Sequence, residues 1–235
     1  VAITKQGNGI LQLTRANTYA GQTLIREGTI LLTGAGKLGA GAVTLGGLGD
    51  ATLAYNVTGD NTTANAIGGT GTITQKGAGI VTLSGANTYA GTTHVEAGTL
   101  KAGSATAFGT SSVLLSSGAT LDIGNYALGN AVAVKAGASG ALSTASVTSD
   151  GGTLGSLTLG SYSRLNVTGS MALASGAELT FDMTGVTAGD NALVTLTGGL
   201  TVNGTHKLTL SNYETLTDSG SYSLLTVGTG TLMVG

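Results

Sequence analysis

The chain has 235 residues, of which 42 are Gly and none is Pro or Cys; 41% are apolar and only 9% charged. A net charge of −2, split as +2 up to Lys101 and −4 beyond it, offers nothing to a phosphate backbone and argues against a nucleic-acid partner. Apolar content and positive mean hydropathy exclude disorder, the missing G-x-y period excludes collagen, and zero Cys excludes a disulfide framework or thiolate metal site.

In chain order, apolar–polar alternation predicts strands over Ile10–Thr14, Thr23–Ile25, Thr29–Thr33, Ala42–Leu45 and Ala51–Tyr55, with a turn at Asn17–Gly21 and a loop at Gly34–Gly41. Asn56–Gly71 is the most polar stretch and carries Asp60-Asn61-Thr62-Thr63. It is expected to leave the scaffold as an excursion loop, where binding residues tend to sit. Ile80–Leu83, Thr93–Glu96, Thr99–Ala102, Ser112–Leu115 and Thr120–Ile123 follow as strands. Next come Ala131–Val134, Ser146–Thr148, Ser156–Leu159, Arg164–Val167, Met171–Leu173 and Glu178–Met183. Longer strands over Ala192–Leu196, Gly199–Val202, Lys207–Leu210 and Ser221–Val227 make Glu178–Gly235 read as a wider or closing section. The Gly density disfavours any long helix. Val1-Ala2-Ile3-Thr4 begins inside a strand pattern with no signal peptide ahead of it, which reads as a mature or excised fragment. A membrane barrel would need strands of about ten residues and aromatic girdles; the 7 Tyr and 2 Phe here are scattered singly.

The chain is organised around a stretch that occurs twice. Ile3–Gly39 aligns with Ile73–Gly109 without a gap, and 17 of the 37 positions are identical. The shared frame is I-T, G-x-G-I-x-x-L, A-N-T-Y-A-G-x-T and G-T. Each copy alternates short apolar runs with Gly or Asn corners, the grammar of one coil of a parallel β-helix. Leu83, Leu100, Leu121, Leu142, Leu157 and Leu173 recur at 15–21 residues, which suits coils of roughly 20 residues. The fold expected is therefore all-β: Val1–Gly235 as one continuous single-stranded β-solenoid of eleven or so coils. Within a strand Val81 and Leu83 share one face and Ile80, Thr82 and Ser84 the other.

These residues also carry a family resemblance. The run G-A-G-I-V-T-L-S-G-A-N-T-Y-A-G-T-T from Gly77 to Thr93, with G-T-L after it, resembles the autotransporter-associated β-strand repeat, or passenger-associated transport repeat. The first copy departs from it at Arg15, where a small turn residue is usual, and the copies differ at Leu24 and His94. The resemblance implies a passenger exported across a bacterial outer membrane by type V secretion, folded as a right-handed parallel β-helix. It implies further a C-terminal outer-membrane barrel in the full-length protein and a place at the cell surface.

Candidate chemistry is sparse. His94 and His206 are the two histidines, and Glu96 lies two positions from His94, on the same face of a strand as a weak metal pair would need. Asp218-Ser219-Gly220 echoes a serine-protease nucleophile loop, but Thr217 stands where a Gly is required, and a hairpin turn is expected. Gly34-Ala35-Gly36-Lys37-Leu38-Gly39 spells G-x-G-x-x-G, yet a strand rather than a helix follows it. Asp182 and Asp190 lack a calcium-binding tandem around them, and Asp122, Asp150 and Asp182 are the carboxylates from which a glycosidase pair would have to be drawn. Sequons at Asn56, Asn61, Asn166 and Asn203 are what chance gives a Thr-rich chain.

The expectation is a non-enzymatic stalk with no cofactor or metal, supporting secretion and displaying adhesive surfaces to a host-cell or bacterial ligand. The alternatives are the scaffold of an enzyme or toxin whose active part lies elsewhere, and a self-associating fibre or biofilm module. The structural residues expected to matter are Asn17, Tyr19 and Gly21 and their counterparts Asn87, Tyr89 and Gly91. The Asn is expected to satisfy corner N–H groups, the Tyr ring to cover the core edge and the Gly to take a conformation barred to other residues.

Overall fold

Strands of three to six residues closed by Gly corners cannot hydrogen-bond to themselves, so each must find its partner in a neighbouring coil. The computed structural model describes residues 1–135, 143–186, 193–202, 204–215, 224–227 and 232–234. They fall into two units, Val1–Val113 and Leu114–Gly235. Both are built from parallel strands coiled as a β-solenoid, with one 3₁₀ turn at Tyr213–Thr215 as the helical element among the described residues.

In the first unit the strands are β1 (Ile3–Lys5), β2 (Ile10–Leu13), β3 (Thr23–Ile25), β4 (Gly28–Thr33), β5 (Val43–Leu45), β6 (Ala51–Asn56), β7 (Asn61–Thr63), β8 (Ile67–Gly69), β9 (Thr72–Gln75), β10 (Ile80–Leu83), β11 (Thr93–Val95) and β12 (Thr99–Ala102). They stack into three faces, β1-β3-β5-β8, β2-β4-β6-β9-β11 and β7-β10-β12. Ile3 pairs with Thr23 and Thr23 with Val43, steps of 20 residues, as the leucine spacing predicts. Alternation decides which side chains enter. Val81 and Leu83 are fully buried, whereas Ile80 on the opposite side of the same strand is 41% exposed. Inward columns such as Leu32–Tyr55–Gln75 run from coil to coil and make the core.

Asn56–Gly71 is not an excursion loop. It carries β7 and β8, which pair in register with β10 and β5. Asn61 and Thr63 of β7 point inward, while Asp60 and Thr62 beside them stay exposed. Asn61 is buried and its amide donates to the Gly36 carbonyl at 2.8 Å, while Thr63 is buried against the Tyr55 hydroxyl at 2.9 Å. Polarity marked the segment as a loop, but hydrogen bonds from the Asn61 amide nitrogen and the Thr63 hydroxyl offset part of the cost of burying those two side chains.

This coil also turns the repeat. Three steps along the first face, from Ile3 through Thr23 and Val43 to Ile67, consume 64 residues. The remaining six of the 70-residue offset carry the chain round to the next face. Accordingly β1 lies on the first face and its counterpart β9 on the second, while β2 lies on the second and its counterpart β10 on the third.

The corners explain the glycines. Gly28 and Gly98, equivalent in the two copies, have φ of 74° and 61°. A Cβ at either would run into carbonyl oxygens of the coil below, Gly7 and Gly9 in one case, Gly77 and Gly79 in the other. A buried donor serves each corner from the preceding strand. Lys5 Nζ donates to the carbonyls of Gln6 (3.0 Å), Gly7 and Glu27 (3.1 Å). Gln75, its counterpart, donates to Gly77 and Gly79 at 2.8 and 3.0 Å.

The second unit is described from β13 (Val113–Leu115), β14 (Thr120–Gly124), β15 (Val132–Val134), β16 (Ser143–Leu154), β17 (Leu157–Leu159), β18 (Ser163–Leu173), β19 (Glu178–Asp182), β20 (Val194–Leu196), β21 (Leu200–Val202), β22 (Lys207–Ser211), β23 (Leu225–Val227) and β24 (Leu232–Val234). Two expected strands, Arg164–Val167 and Met171–Leu173, are one, and β16 turns through a register shift between Asp150 and Gly152. The coil lengthens along this unit. Ser143 pairs with Ser163, 20 residues on, but Leu165 pairs with Val194, 29 on, and Val194 with Leu225, 31 on. Turns among the described residues therefore come to about nine rather than eleven. The wider coils are lined by the same Leu and Val residues as the narrow ones, and an apolar cavity of about 140 Å³ remains beside Leu157, Met171, Phe181 and Leu196.

Two substitutions test the corner. Gly98→Ala, at positive φ and against two carbonyls, should destabilise by at least ~2 kcal/mol in urea unfolding. Lys5→Gln should be nearly neutral, since Gln75 does the same work in the other copy, while Lys5→Met should cost about 1–3 kcal/mol by stripping carbonyls of their donor.

Candidate functional site

The repeat gives each copy one corner without a regular strand, A-N-T-Y-A-G, and that corner collects the side chains common to both copies. Asn87 is buried. Its Oδ1 accepts from the Ile67 N–H one coil back at 2.9 Å, and its Nδ2 donates to the Ala107 carbonyl one coil on at 2.7 Å. One side chain thus stands in for the ladder in both directions. Asn17 makes the forward bond of the pair, donating to the Lys37 carbonyl at 2.8 Å, and also to Arg15 at 3.0 Å.

The tyrosines point inward. Tyr89 is fully buried, and its hydroxyl shares a 2.7 Å hydrogen bond with Thr93 Oγ1. Thr93 Oγ1 lies 3.0 Å from Ser111 Oγ, which donates to the Phe108 carbonyl at 2.9 Å. In the first copy Tyr19, half-buried, meets Thr23 Oγ1 at 2.6 Å. The last Thr of the shared A-N-T-Y-A-G-x-T frame is therefore the partner of the tyrosine hydroxyl. An exposed ring for glycan stacking is not what Tyr89 provides.

Gly21 and Gly91 are retained for a different reason from the one expected. Neither has positive φ. A Cβ on Gly91 would strike the carbonyls of Thr70 and Gly71 in the coil below, and one on Gly21 that of Val1. Close approach, not backbone conformation, excludes larger residues there. Gly36 and Gly39 of the Gly34–Gly39 run are accounted for in the same way, while Gly34 has a φ of 57°. The run forms the next coil above the first corner, with Ala16 bridged to Lys37 and Gly39 pressed against Tyr19, so it serves coil packing and is followed by β5 rather than a helix.

The two corners do not share a face. Ile67 and Gly69 of β8 accept from the N–H groups of Thr88 and Ala90, so the second corner continues the first face. Gly36, above the first corner, lies against Asn61 of β7 on the third face.

Within each unit, the described candidate catalytic groups are engaged separately. His94 sits half-buried in β11 opposite Thr74, and Glu96 turns to Lys76, 3.6 Å away. His206 lies in the second unit, its Nδ1 3.3 Å from the Ala177 carbonyl. Asp182 accepts from the Thr184 N–H and Asn212, both at 3.0 Å, on a different sheet from Asp122 and Asp150. Among the described residues no group of three His, Cys, Asp or Glu could hold a metal. Asp190, Asn203 and Thr217–Gly220 lie outside the described residues. Sequence reasoning passed over Lys5, Tyr55, Thr63 and Gln75, which bury polar atoms in the core; the sole signal was a donor at the same repeat position in Lys5 and Gln75.

Burial pushes the Tyr89 phenol up to about 12, against the opposing pull of its bonds to Thr93 and Ser111, and burial raises Tyr55 further still. The neutral phenol is thus favoured in the folded chain, and its contribution is complete below the unfolded value of about 10 and lost as pH rises toward the folded one. Phenolate absorbance from Tyr55 and Tyr89 should appear together with loss of strand signal between about pH 10 and 12.

A family model described as Passenger-associated-transport-repeat matches residues 3–32 and again 73–102. Over 128 residues the chain is 34% identical to the adhesin BmaC autotransporter of Brucella suis biovar 1 (strain 1330). That match covers 52% of this chain and 4% of the adhesin, so the chain spans a small fraction of that relative's length. No solved structure matches the chain. The chain carries the passenger-associated transport repeat twice, on the coils whose corners hold Asn17 and Asn87, and its relation is to autotransporter passengers.

Proposed function

We propose that this chain is a stalk segment of an autotransporter passenger, which supports secretion by folding readily outside the membrane and displays adhesive surfaces at the cell surface. The observation that carries this reading is the inward direction of the retained corner: Asn87 spends its polar atoms on the neighbouring coils, and Tyr89 and Thr93 spend theirs on each other and on Ser111, rather than on a ligand. Asn17, Tyr19 and Gly21 play the same part in the first copy. A passenger role gives such a stack a use, since each coil completed on the outside cannot slip back through the pore. The relative is named an adhesin, and the outward faces here, rich in Thr and poor in charge, suit a host-cell or bacterial surface ligand. The full-length protein would end in an outer-membrane barrel. The role needs no chemistry on a substrate.

A second reading, self-association, draws on one feature of the second face. Thr29, Thr52 and Thr72 align in register, and Thr29, Thr52 and Thr74 line a shallow groove with Ile10, Leu31, Ala54 and Lys76. Flat neutral faces of this kind pair side to side.

The readings separate in a full-length passenger displayed on a Gram-negative host. Asn87→Ala and Tyr89→Ala should lower the amount and protease resistance of surface passenger several-fold, while Thr88→Ala on the outward side changes neither. Cell binding per displayed molecule should be unaltered by all three. If Tyr89→Ala leaves delivery intact while binding falls, the corner belongs to a ligand and the stalk reading fails. Clumping of displaying cells that Thr52→Lys abolishes would favour self-association.

A further inference from the structure

The corner between β1 and β2 is Gln6-Gly7-Asn8-Gly9, all exposed. Its counterpart in the second copy is Lys76-Gly77-Ala78-Gly79, so an amide side chain stands in one copy where a methyl group stands in the other. Around Gly7 and Gly9 there is open space, with nothing within 4 Å of where a Cβ would lie. Asn8 makes no side-chain hydrogen bond among the described residues, unlike Asn17, Asn61, Asn65 and Asn87, whose amides are each bound to a carbonyl.

We propose that Asn8 is a self-modifying site, at which the exposed Asn8–Gly9 bond of the first repeat converts to aspartyl and isoaspartyl forms without an enzyme. The Gly9 amide nitrogen gives its proton to solvent base and attacks Asn8 Cγ, closing a five-membered imide. The bond from Cγ to the side-chain nitrogen then breaks, and that nitrogen leaves with the proton as ammonia. Water adds across one of the two imide C–N bonds, giving an ordinary aspartyl residue when the side-chain link opens and an isoaspartyl residue when the main-chain link opens. The balance is one water in and one ammonia out, with no oxidant or cofactor. A following Gly permits the reaction because it has no side chain to obstruct the approach or restrict its φ.

The consequence follows from what rests on this corner. Gly9 accepts from the Thr29 N–H at 3.2 Å, Gly7 accepts from Lys5 Nζ, and Gly28 is pressed onto both glycine carbonyls. Isoaspartate lengthens the main chain here by one methylene and displaces those carbonyls. The first copy therefore ages at its β1–β2 corner while the second, with Ala78, does not. In the extracellular setting proposed above this change would accumulate.

The test is incubation of the purified chain at mildly alkaline pH and body temperature, followed by peptide mapping with isoaspartate detection. The expected result is conversion at Asn8 within a few-fold of the rate in the urea-unfolded chain, with Asn17 and Asn87 intact. The aged wild type should lose more thermal stability than aged Asn8→Ala, which keeps Asn203–Gly204 and Asp150–Gly151 in common with it. Asn8 staying intact in the folded chain while the unfolded chain converts would overturn the proposal, as would equal loss at Asn17 and Asn87. Because the readout is chemical, failure of the stalk reading leaves this result untouched.

Discussion

Every corner of these coils leaves backbone donors and acceptors pointing along the stack, where the neighbouring coil alone can meet them. A ladder solves this within strands but not between them, and an unpaired buried amide or carbonyl costs about 1–3 kcal/mol. Two devices answer it here. Side-chain amides and one ammonium supply the missing bonds, from Asn87, Gln75, Asn61 and Lys5. Glycine lets the coils come close enough for those bonds to form, as at Gly91 over Gly71 and Gly98 over Gly77. Neither works without the other: a Cβ at Gly98 would push the corner off the carbonyls that Gln75 is holding.

The turn of the repeat by one face shows what the repeat encodes. A binding surface repeated in sequence would be expected to recur on one side, so that a single partner could read both copies. Here the two corners face differently, and most of what they share is inward. Several outward strand positions differ, with Gln12 against Thr82, Leu24 against His94 and Leu31 against Lys101, although the exposed Ile10 and Ile80 are the same. The inward ones keep their chemistry, as in Ile25 and Val95 or Ile30 and Leu100. Thr88 and Ala90 are outward and retained, and nothing in the structure explains them. The repeat is a recipe for a corner, and the faces are free to vary around it.

Much of this was legible in the sequence for a simple reason. Alternation places Val81 and Leu83 inward whatever the fold, and a Gly or Asn between two such runs has few uses besides a corner. Three things were not legible. Asn61 and Thr63 read as loop residues because their partners, Gly36 and Tyr55, are 25 and 8 positions away, beyond any local pattern. Longer strands suggest a wider or closing section from Glu178, but not where or by how much the coil lengthens from 20 to 29 and 31 residues, since the same Leu and Val line both. Gly91 was assigned to a turn conformation because positive φ is the commonest demand on glycine; contact with the coil below is invisible until the stacking is known.

Coil-by-coil satisfaction also sets how such a chain can fold. Most of the free energy of a stack lies in contacts between adjacent coils, so a first coil alone is unstable and each later one adds to a template already present. Asn87 makes this concrete. Its Oδ1 is satisfied by Ile67 behind it and its Nδ2 by Ala107 ahead, at separations of 20 residues in both directions. A coil arriving from either side therefore meets a partner already held in place by Tyr89, whose hydroxyl is tied to Thr93 within the same coil. The local bond closes a loop of four residues and the long-range bonds loops of 20, so the local one costs less chain entropy to make. Cheap local closure with partners one coil away suits a chain that becomes structured piece by piece.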